Sequence, residues 1–274
     1  PPPGASSTSV TTSCFGVCDG NTTVTGSNGT TLEQYSYLWN NGQTTTNATS
    51  LCAGSYTVTV YDINGCNQSA SVTITQPPLL GIMITSVINV SCFGMNDGRI
   101  TAVASGGTPP YTYQWSNGAS QSTINNLPST IYTITVTDLN GCDSVISVTV
   151  TQPPALTAAI SDSVNISCKG LKNGEATLTA TGGTPPYTYS WNTVPSQSAS
   201  VATGLGGGTY IGTVLDANNC SSNDTVTILE PSLLMVSVAS VIHIKCKGAV
   251  TGAITLSPTG GTLPYTYLWM PGGQ

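Results

Sequence analysis

The residues of this chain most able to do chemistry are its cysteines, nine in 274 residues. Seven of them recur in two sequence contexts, the first containing Cys14, Cys92, Cys168 and Cys246 and the second containing Cys66, Cys142 and Cys220. Thiols that recur in this way form either disulfide bonds or metal sites. A zinc site needs clustered Cys and His, whereas the only histidine is His243 and there is no Cys-x-x-Cys pair. The pattern therefore predicts disulfides and no metal centre.

The spacing of the two contexts predicts how the cysteines pair. A member of the first context is followed 50 to 52 residues later by a member of the second (66 − 14, 142 − 92 and 220 − 168). The predicted bonds are Cys14–Cys66, Cys92–Cys142 and Cys168–Cys220, with the extra pair Cys18–Cys52, and Cys246 is unpaired because its partner would follow Gln274. Closing a loop of about 50 residues stabilises a small domain by roughly 3–4 kcal/mol. Disulfides also predict an extracellular location.

The carboxylates do not predict an enzyme. Eleven acidic residues are spread over the chain, so none converge as a catalytic site requires. Calcium is the one cofactor that oxygen-rich loops of this kind could take, and the candidate ligands are Asp19, Asn96, Asp97 and the turn residues Asp62, Asp138 and Asp216. Each loop offers one carboxylate at most, and a short turn carboxylate usually bonds its own backbone amides. We therefore predict no cofactor.

These residues are carried by a unit that repeats at a period of about 77 residues, and self-similarity at a fixed period indicates a tandem array. Its clearest segment is Gly-Gly-Thr-Pro-Pro-Tyr-Thr-Tyr-x-Trp, which begins at Gly106 and again at Gly182, and returns as a close variant at Gly260. We predict repeats at 1–78, 79–154 and 155–232 and the first part of a fourth at 233–274, joined by stiff segments such as Thr75-Gln76-Pro77-Pro78.

The strand pattern within each unit predicts an all-β fold. Short runs rich in Val, Ile, Thr and Tyr alternate in polarity and are separated by turn signals such as Asp-x-Asn-Gly-Cys, which favours a tight hairpin. About seven such strands predict an immunoglobulin-like antiparallel β-sandwich. The predicted core aromatics are a Trp late in each unit's Tyr-x-Tyr-x-Trp strand and a Tyr five residues after a Leu, as in a tyrosine corner, and these are Trp39, Trp115, Trp191, Trp269, Tyr56, Tyr132 and Tyr210.

Composition restricts the partners. Only 6% of residues are charged and the net charge is −6, so there is no basic surface for nucleic acid. The sequence has no run of eighteen apolar residues, so it predicts no membrane span. Sugars stack on exposed aromatic rings, and the tyrosines least committed to the core are Tyr111, Tyr187 and Tyr265, which are candidates for a ligand or for a contact between repeats.

The Gly-Gly-Thr-Pro-Pro segment, the Asp-x-Asn-Gly-Cys turn and the closing Thr-Gln-Pro-Pro together resemble the SprB-type repeat of the gliding-motility surface adhesins of Bacteroidetes. The resemblance implies a very large cell-surface protein, exported by type IX secretion, that forms filaments and adheres to the substratum. Separately, Thr-rich and weakly charged strands leave edges open to association, so we expect other copies of the protein or of the same long chain as partners, and surface polysaccharide is a further candidate. It also implies O-glycosylation at Asp-Ser/Thr-aliphatic triplets, with Ser144, Ser163 and Thr225 as the acceptors. Two other functions fit the residues: a carbohydrate-binding array and a passive spacer of a secreted hydrolase.

Overall fold

The computed structural model describes residues 4–27 and 35–270. These residues form twenty β-strands and no helix, so they contain no helix that could cross a bilayer. The chain divides into two compact units. The first comprises the residues up to Val90 together with Asn96–Thr151, and the second comprises Ser91–Met95 together with the residues from Gln152 onward.

The first unit contains the strands of repeats 1 and 2. In repeat 1 they are β1 (Gly4–Val10), β2 (Gly20–Ser27), β3 (Ser36–Trp39), β4 (Asn47–Leu51), β5 (Gly54–Tyr61) and β6 (Asn67–Ile74). In repeat 2 they are β7 (Gly81–Ile88), β8 (Gly98–Ser105), β9 (Thr112–Trp115), β10 (Thr123–Leu127), β11 (Thr130–Thr137) and β12 (Asp143–Val150). The sheets are β1-β2-β4 and β3-β5-β6, then β7-β8-β10 and β9-β11-β12, all antiparallel.

The second unit contains the strands of repeat 3 and of the partial repeat 4. They are β13 (Thr157–Val164), β14 (Gly174–Thr181), β15 (Thr188–Trp191), β16 (Val201–Leu205), β17 (Gly208–Leu215), β18 (Ser221–Ile228), β19 (Met235–Ile242) and β20 (Ala253–Thr259). The sheets β13-β14-β16 and β15-β17-β18 repeat the arrangement of the first unit, and β19 pairs with β20.

Each complete set is an immunoglobulin-like sandwich with six strands. Its first, second and fourth strands form one sheet and its third, fifth and sixth form the other, which corresponds to strands A, B, E and C, F, G of that fold. The sequence predicted about seven strands. The structure has six because the chain passes from the third strand to the fourth, in the opposite sheet, through residues 40–46 in repeat 1 without an additional strand.

A tryptophan fills the centre of each complete sandwich. Trp39, Trp115 and Trp191 end the third strand of their repeats and are at most 2% exposed. The indole nitrogen of Trp115 donates to the carbonyl oxygen of Gln121 at 2.8 Å, so the one polar atom of the buried ring is satisfied. The prediction for Trp269 is wrong: it is 39% exposed, because the described part of repeat 4 forms only β19 and β20 and has no second sheet to cover the ring.

The tyrosine corner is present in all three complete repeats. The Tyr132 hydroxyl donates to the carbonyl oxygen of Pro128, four residues upstream, at 3.0 Å. Tyr56 and Tyr210 make the same bond to Cys52 and Gly206. Tyr132 is buried and the other two are half-buried, so each ring packs against its core while its hydroxyl fixes the entry into the fifth strand.

Candidate functional site

The cysteines of the two recurring contexts are joined between repeats. Cys14 of repeat 1 is bonded to Cys142 of repeat 2, with a Cα–Cα distance of 5.8 Å. Cys92, which comes from repeat 2 in sequence, is bonded to Cys220 of repeat 3 at 5.7 Å. Both bonds span 128 residues. These pairs correct the within-repeat bonds Cys14–Cys66, Cys92–Cys142 and Cys168–Cys220.

The remaining three cysteines of the two contexts, Cys66, Cys168 and Cys246, are exposed thiols. Cys66 and Cys168 therefore do not form the bonds that the spacing predicted for them. The extra pair of repeat 1 does form, as Cys18–Cys52.

The geometry of one sandwich explains why the within-repeat pairing fails. Cys14 lies in the loop between β1 and β2, and this loop is held to the end of β6 by a hydrogen bond from the Thr12 amide to the Thr75 carbonyl oxygen at 3.1 Å. Cys66 precedes the start of β6. Eight residues of strand separate the two positions, about 26 Å at 3.3 Å per residue. Bonded cysteines have Cα atoms within about 7 Å of each other, so these two cannot pair.

The turn that carries Cys142 is organised by a buried carboxylate. Asp138 is 5% exposed. Its Oδ1 accepts hydrogen bonds from the amides of Asn140 and Cys142, and its Oδ2 accepts one from the amide of Thr108, all at 2.8–2.9 Å. Burial alone would raise the pKa of Asp138, but these amide hydrogen bonds outweigh it and hold the pKa below its ordinary value. Asp138 thus joins the turn to the Gly-Gly-Thr-Pro-Pro loop.

In the second unit, Asp216 has the same role. It accepts hydrogen bonds from the amides of Asn218, Cys220 and Thr184 at 2.8–2.9 Å, and its pKa is lowered in the same way against the effect of burial. The expected role of this turn position, bonding to nearby backbone amides, is present in all three complete repeats, since Asp62 Oδ1 also accepts from the amides of Asn64 and Cys66. Asp138 and Asp216 each reach in addition an amide 30 or more residues away.

An asparagine adjoins each of the two inter-repeat disulfides. The side-chain nitrogen of Asn140 donates to the carbonyl oxygen of Ser13 at 2.8 Å and to the Thr108 hydroxyl at 3.1 Å. Asn218 makes the same two bonds, to Ser91 and Thr184, at 2.8 and 3.2 Å. Each turn therefore contacts the partner loop twice, through the disulfide of its cysteine and through the hydrogen bond of its asparagine.

The Gly-Gly pair brings its loop close to the linker. The Gly107 amide donates to the Pro78 carbonyl oxygen at 2.8 Å. A Cβ on Gly106 would lie 1.9 Å from the Leu79 carbonyl oxygen, and one on Gly107 would lie 2.6 Å from Asp138 Oδ2. Both residues have positive φ, at 75° and 55°. Glycine is therefore required here both by conformation and by space.

The tyrosines proposed as ligand contacts close this same loop. The Tyr111 hydroxyl donates to the Gly106 carbonyl oxygen at 2.6 Å. Tyr187 and Tyr265 make the equivalent bonds to Gly182 and Gly260 at 2.6 and 2.5 Å. All three rings are half-buried, and their hydroxyl groups are engaged within their own repeats.

The loop that carries the first cysteine is held by the last residues of its own repeat. The Gly16 amide donates to Gln76 Oε1 and the Gly94 amide to Gln152 Oε1, each at 2.8 Å. Glu230 replaces the glutamine in repeat 3. It accepts from the Gly170 amide at 2.7 Å and pairs with Lys169 at 3.1 Å, and these two contacts lower the pKa of Glu230.

Sequence reasoning did not find these loop contacts, nor those of Asn140 and Asn218. The available signal was the return of Gln in Thr-Gln-Pro-Pro and of Asn in Asp-x-Asn, two residues whose side chains bond backbone groups.

Of the other predicted site residues, Asp19 supports the loop that carries Cys14. Asp19 accepts a hydrogen bond from the Ser13 amide at 2.9 Å. Within residues 4–27 and 35–270, no three His, Cys, Asp or Glu side chains form a metal-binding group. Ser163 and Thr225 are exposed on strands, whereas Ser144 is half-buried on the core-facing side of β12. His243 is exposed just after β19.

A family model described as SprB repeat matches the chain at residues 84–120, 160–196 and 242–274. Each match contains the loop of the first cysteine and the Gly-Gly-Thr loop. No curated protein matches.

Three similar solved structures contain tandem domains. The N-terminal domains of the bacteriophage RB49 highly immunogenic outer capsid protein are 14% identical, with a TM-score of 0.40 over 82% of this chain and 99% of that one. A tetra-tandem repeat from the extending region of a large adhesion protein is 15% identical, with a TM-score of 0.28 over 94% and 81%. The mouse nectin-like molecule 4 ectodomain is 11% identical, with a TM-score of 0.34 over 83% and 94%.

Proposed function

On the basis of the SprB repeats that this chain carries, we propose that it is a repetitive segment of an extracellular adhesin, forming a semi-rigid stalk. The observation that supports this function is the junction between successive repeats, by which we mean an inter-repeat disulfide and the asparagine hydrogen bond beside it. It occurs twice, as Cys14–Cys142 with Asn140–Ser13 and as Cys92–Cys220 with Asn218–Ser91. Domains joined by a single linker move freely by default. Here the Pro-rich linker, a disulfide and an asparagine hydrogen bond connect successive repeats, and three connections restrict hinge motion more than one does.

The disulfides favour an extracellular location, since such bonds persist in oxidising compartments. We further propose export by type IX secretion and a place in surface filaments used for adhesion and gliding motility, in which the repeats associate with further copies of themselves or of the same long chain. These proposals rest on the family whose repeats the chain carries.

Three measurements separate the stalk from the carbohydrate-binding and spacer alternatives: surface labelling, glycan binding and cell attachment after deletion. Antibodies raised against the purified chain are applied to intact producing cells, and the chain itself is applied to a polysaccharide array. The stalk proposal expects labelled surface filaments, loss of cell attachment when the encoding segment is deleted, and no polysaccharide binding by the chain alone. Binding of the chain to a glycan would support the array function instead, and labelling beside a secreted hydrolase without loss of attachment would support the spacer.

Among the proposed glycosylation sites, the structure supports two better than the third. Ser163 and Thr225 expose their side chains, so a glycan added there would extend into solvent. Ser144 is half-buried and shares its side of the strand with Ile146 and Val148, which pack against the core, so its hydroxyl is less open to modification. We propose modification at Ser163 and Thr225. Intact-mass measurement of the native chain, followed by Ser163→Ala and Thr225→Ala variants, tests this assignment.

A further inference from the structure

The two inter-repeat disulfides overlap along the sequence. Cys92 lies between Cys14 and Cys142, and Cys142 lies between Cys92 and Cys220. Bonds confined to single repeats would leave every linker as the only covalent connection between neighbours. Overlapping bonds instead provide a second covalent route across each linker.

We infer that these disulfides form a covalent ladder parallel to the main chain, which limits how far the stalk extends under load and keeps it connected when the main chain is cut. This property is independent of what the protein adheres to, and it would hold for any function that places the chain under tension.

The extension limit follows from the covalent routes between Cys14 and Cys220. Along the main chain the route contains 206 residues (220 − 14), about 740 Å when fully extended. Through both inter-repeat disulfides it crosses from Cys14 to Cys142, returns to Cys92 and crosses to Cys220. Only the 50 residues between Cys92 and Cys142 (142 − 92) are then stretched, about 180 Å.

The local bond Cys18–Cys52 offers a second short route. It bypasses the 34 residues between its two cysteines. A path that follows the main chain from Cys14 to Cys92, and then crosses the Cys92–Cys220 bond, therefore stretches only 44 residues (92 − 14 − 34), about 160 Å. This path does not use Cys14–Cys142. The contribution of the two ladder bonds is therefore measured in the C18S/C52S variant, where the local bond is absent.

In that variant, the overlap gives an unusual response to loss of one ladder bond. Without Cys14–Cys142 the stretched route is the main chain from Cys14 to Cys92 (92 − 14 = 78), about 280 Å. Without Cys92–Cys220 it is the main chain from Cys142 to Cys220 (220 − 142 = 78), again about 280 Å. Without both it is the whole main chain. Each single loss therefore adds little and the double loss adds much more.

Continuity after a cut follows from the same bonds. A break in the main chain at any point between Cys14 and Cys220 is spanned by at least one disulfide, and a break between Cys92 and Cys142 is spanned by two. With the within-repeat pairs that the spacing predicted, a cut between Cys66 and Cys92 would separate the chain into two pieces.

Single-molecule force spectroscopy of the full chain, held at its termini with Cys66, Cys168 and Cys246 alkylated, tests the extension limit. In the C18S/C52S background, the Cys14-to-Cys220 segment is expected to contribute about 180 Å when oxidised, about 280 Å after either C14S/C142S or C92S/C220S, and about 740 Å after both or after reduction. The limit is set by covalent bonds, so a variant that folds poorly still reports it. An oxidised chain that extends as far as the reduced one, or a single-pair variant well beyond about 280 Å, would overturn the inference.

Cyanogen bromide cleavage after Met83, Met95, Met235 and Met270 tests continuity in the alkylated chain with its native disulfides. The ladder predicts that the peptides 1–83, 84–95 and 96–235 remain one species on a non-reducing gel and separate after reduction. Release of the peptide ending at Met83 without reductant would show bonds confined to repeat 1 and would overturn the ladder.

Discussion

Asn140 donates a hydrogen bond from its side-chain nitrogen to the carbonyl oxygen of Ser13, which lies 127 residues earlier in the chain, at 2.8 Å. Asn218 and Ser91 make the same bond at the same distance and separation. A contact that recurs with this fidelity in the two units indicates that the junction is a defined interface. The turn and the loop that the disulfide joins therefore also hydrogen-bond to each other.

Replacing this asparagine is expected to weaken the junction without breaking the disulfide. Asn140→Ala removes the donors to Ser13 and Thr108, and a lost hydrogen bond of this kind costs about 0.5–1.5 kcal/mol. Asn218→Ala should cost about the same. Urea unfolding of the oxidised chain measures the effect. Asn223→Ala, at an exposed position on β18, is the control, and equal stabilities of N140A and N223A would contradict an energetic role for the bond.

The junction is expected to weaken in acid. Because the pKa of Asp138 and of Asp216 is lowered in the folded state, the unfolded chain takes up protons first as the pH falls. Their contribution is complete above the unfolded carboxyl pKa of about 3.9 and is lost as the pH falls through the lower folded values. Unfolding free energies measured between pH 7 and pH 2 should therefore decline below about pH 4.

The double variant Asp138→Asn/Asp216→Asn should be less stable at pH 7 and should show a shallower decline in acid. Asp162→Asn, at an exposed carboxylate on β13, is the matched charge control and should follow the original chain. A double variant whose stability keeps the full acid dependence would show that other groups carry it.

Alanine substitutions at two glycines with positive φ separate the cost of an unfavourable backbone conformation from the cost of steric overlap. Gly118 has φ 86°, and a methyl group added there would meet nothing within 4 Å, so Gly118→Ala should cost about 1–2 kcal/mol from the backbone alone. Gly107→Ala has the same type of cost at φ 55° and would also place Cβ 2.6 Å from Asp138 Oδ2. Thermal unfolding should rank G107A below G118A, and the reverse order would mean that the loop moves to accommodate the methyl group.

Removing the hydroxyl group of Tyr111 distinguishes a structural role of this tyrosine from a role in ligand binding. Tyr111→Phe deletes the hydroxyl bond to Gly106, and we expect a loss of about 0.5–1.5 kcal/mol in stability with no change in polysaccharide retention. Tyr113→Phe, on the adjacent strand β9, is the comparison. If Y111F unfolded like the original chain but lost retention on a polysaccharide column, Tyr111 would be a ligand contact after all.

Much of each repeat was predictable because its signals are local. Alternating residues form strands wherever one face is covered, so the burial of Trp115 and the corner at Tyr132 were predicted from spacing alone. Trp269 shows the limit of this reasoning. Its sequence context is that of a core residue, yet the described part of repeat 4 provides no second sheet, and burial depends on the facing sheet as much as on the residue.

The sequence by itself determined that the chain is a tandem array of disulfide-bonded β-sandwiches, because period, alternation and cysteine context are properties of neighbouring residues. Only the tertiary structure decided which cysteines meet. In such similar repeats, Cys142 has one candidate partner in its own repeat, Cys92, and an equivalent one in the preceding repeat, Cys14, and spacing cannot distinguish them. The length of a strand decides between them, since it places Cys66 and Cys14 at opposite ends of one sandwich and brings Cys142 to the loop of the preceding one.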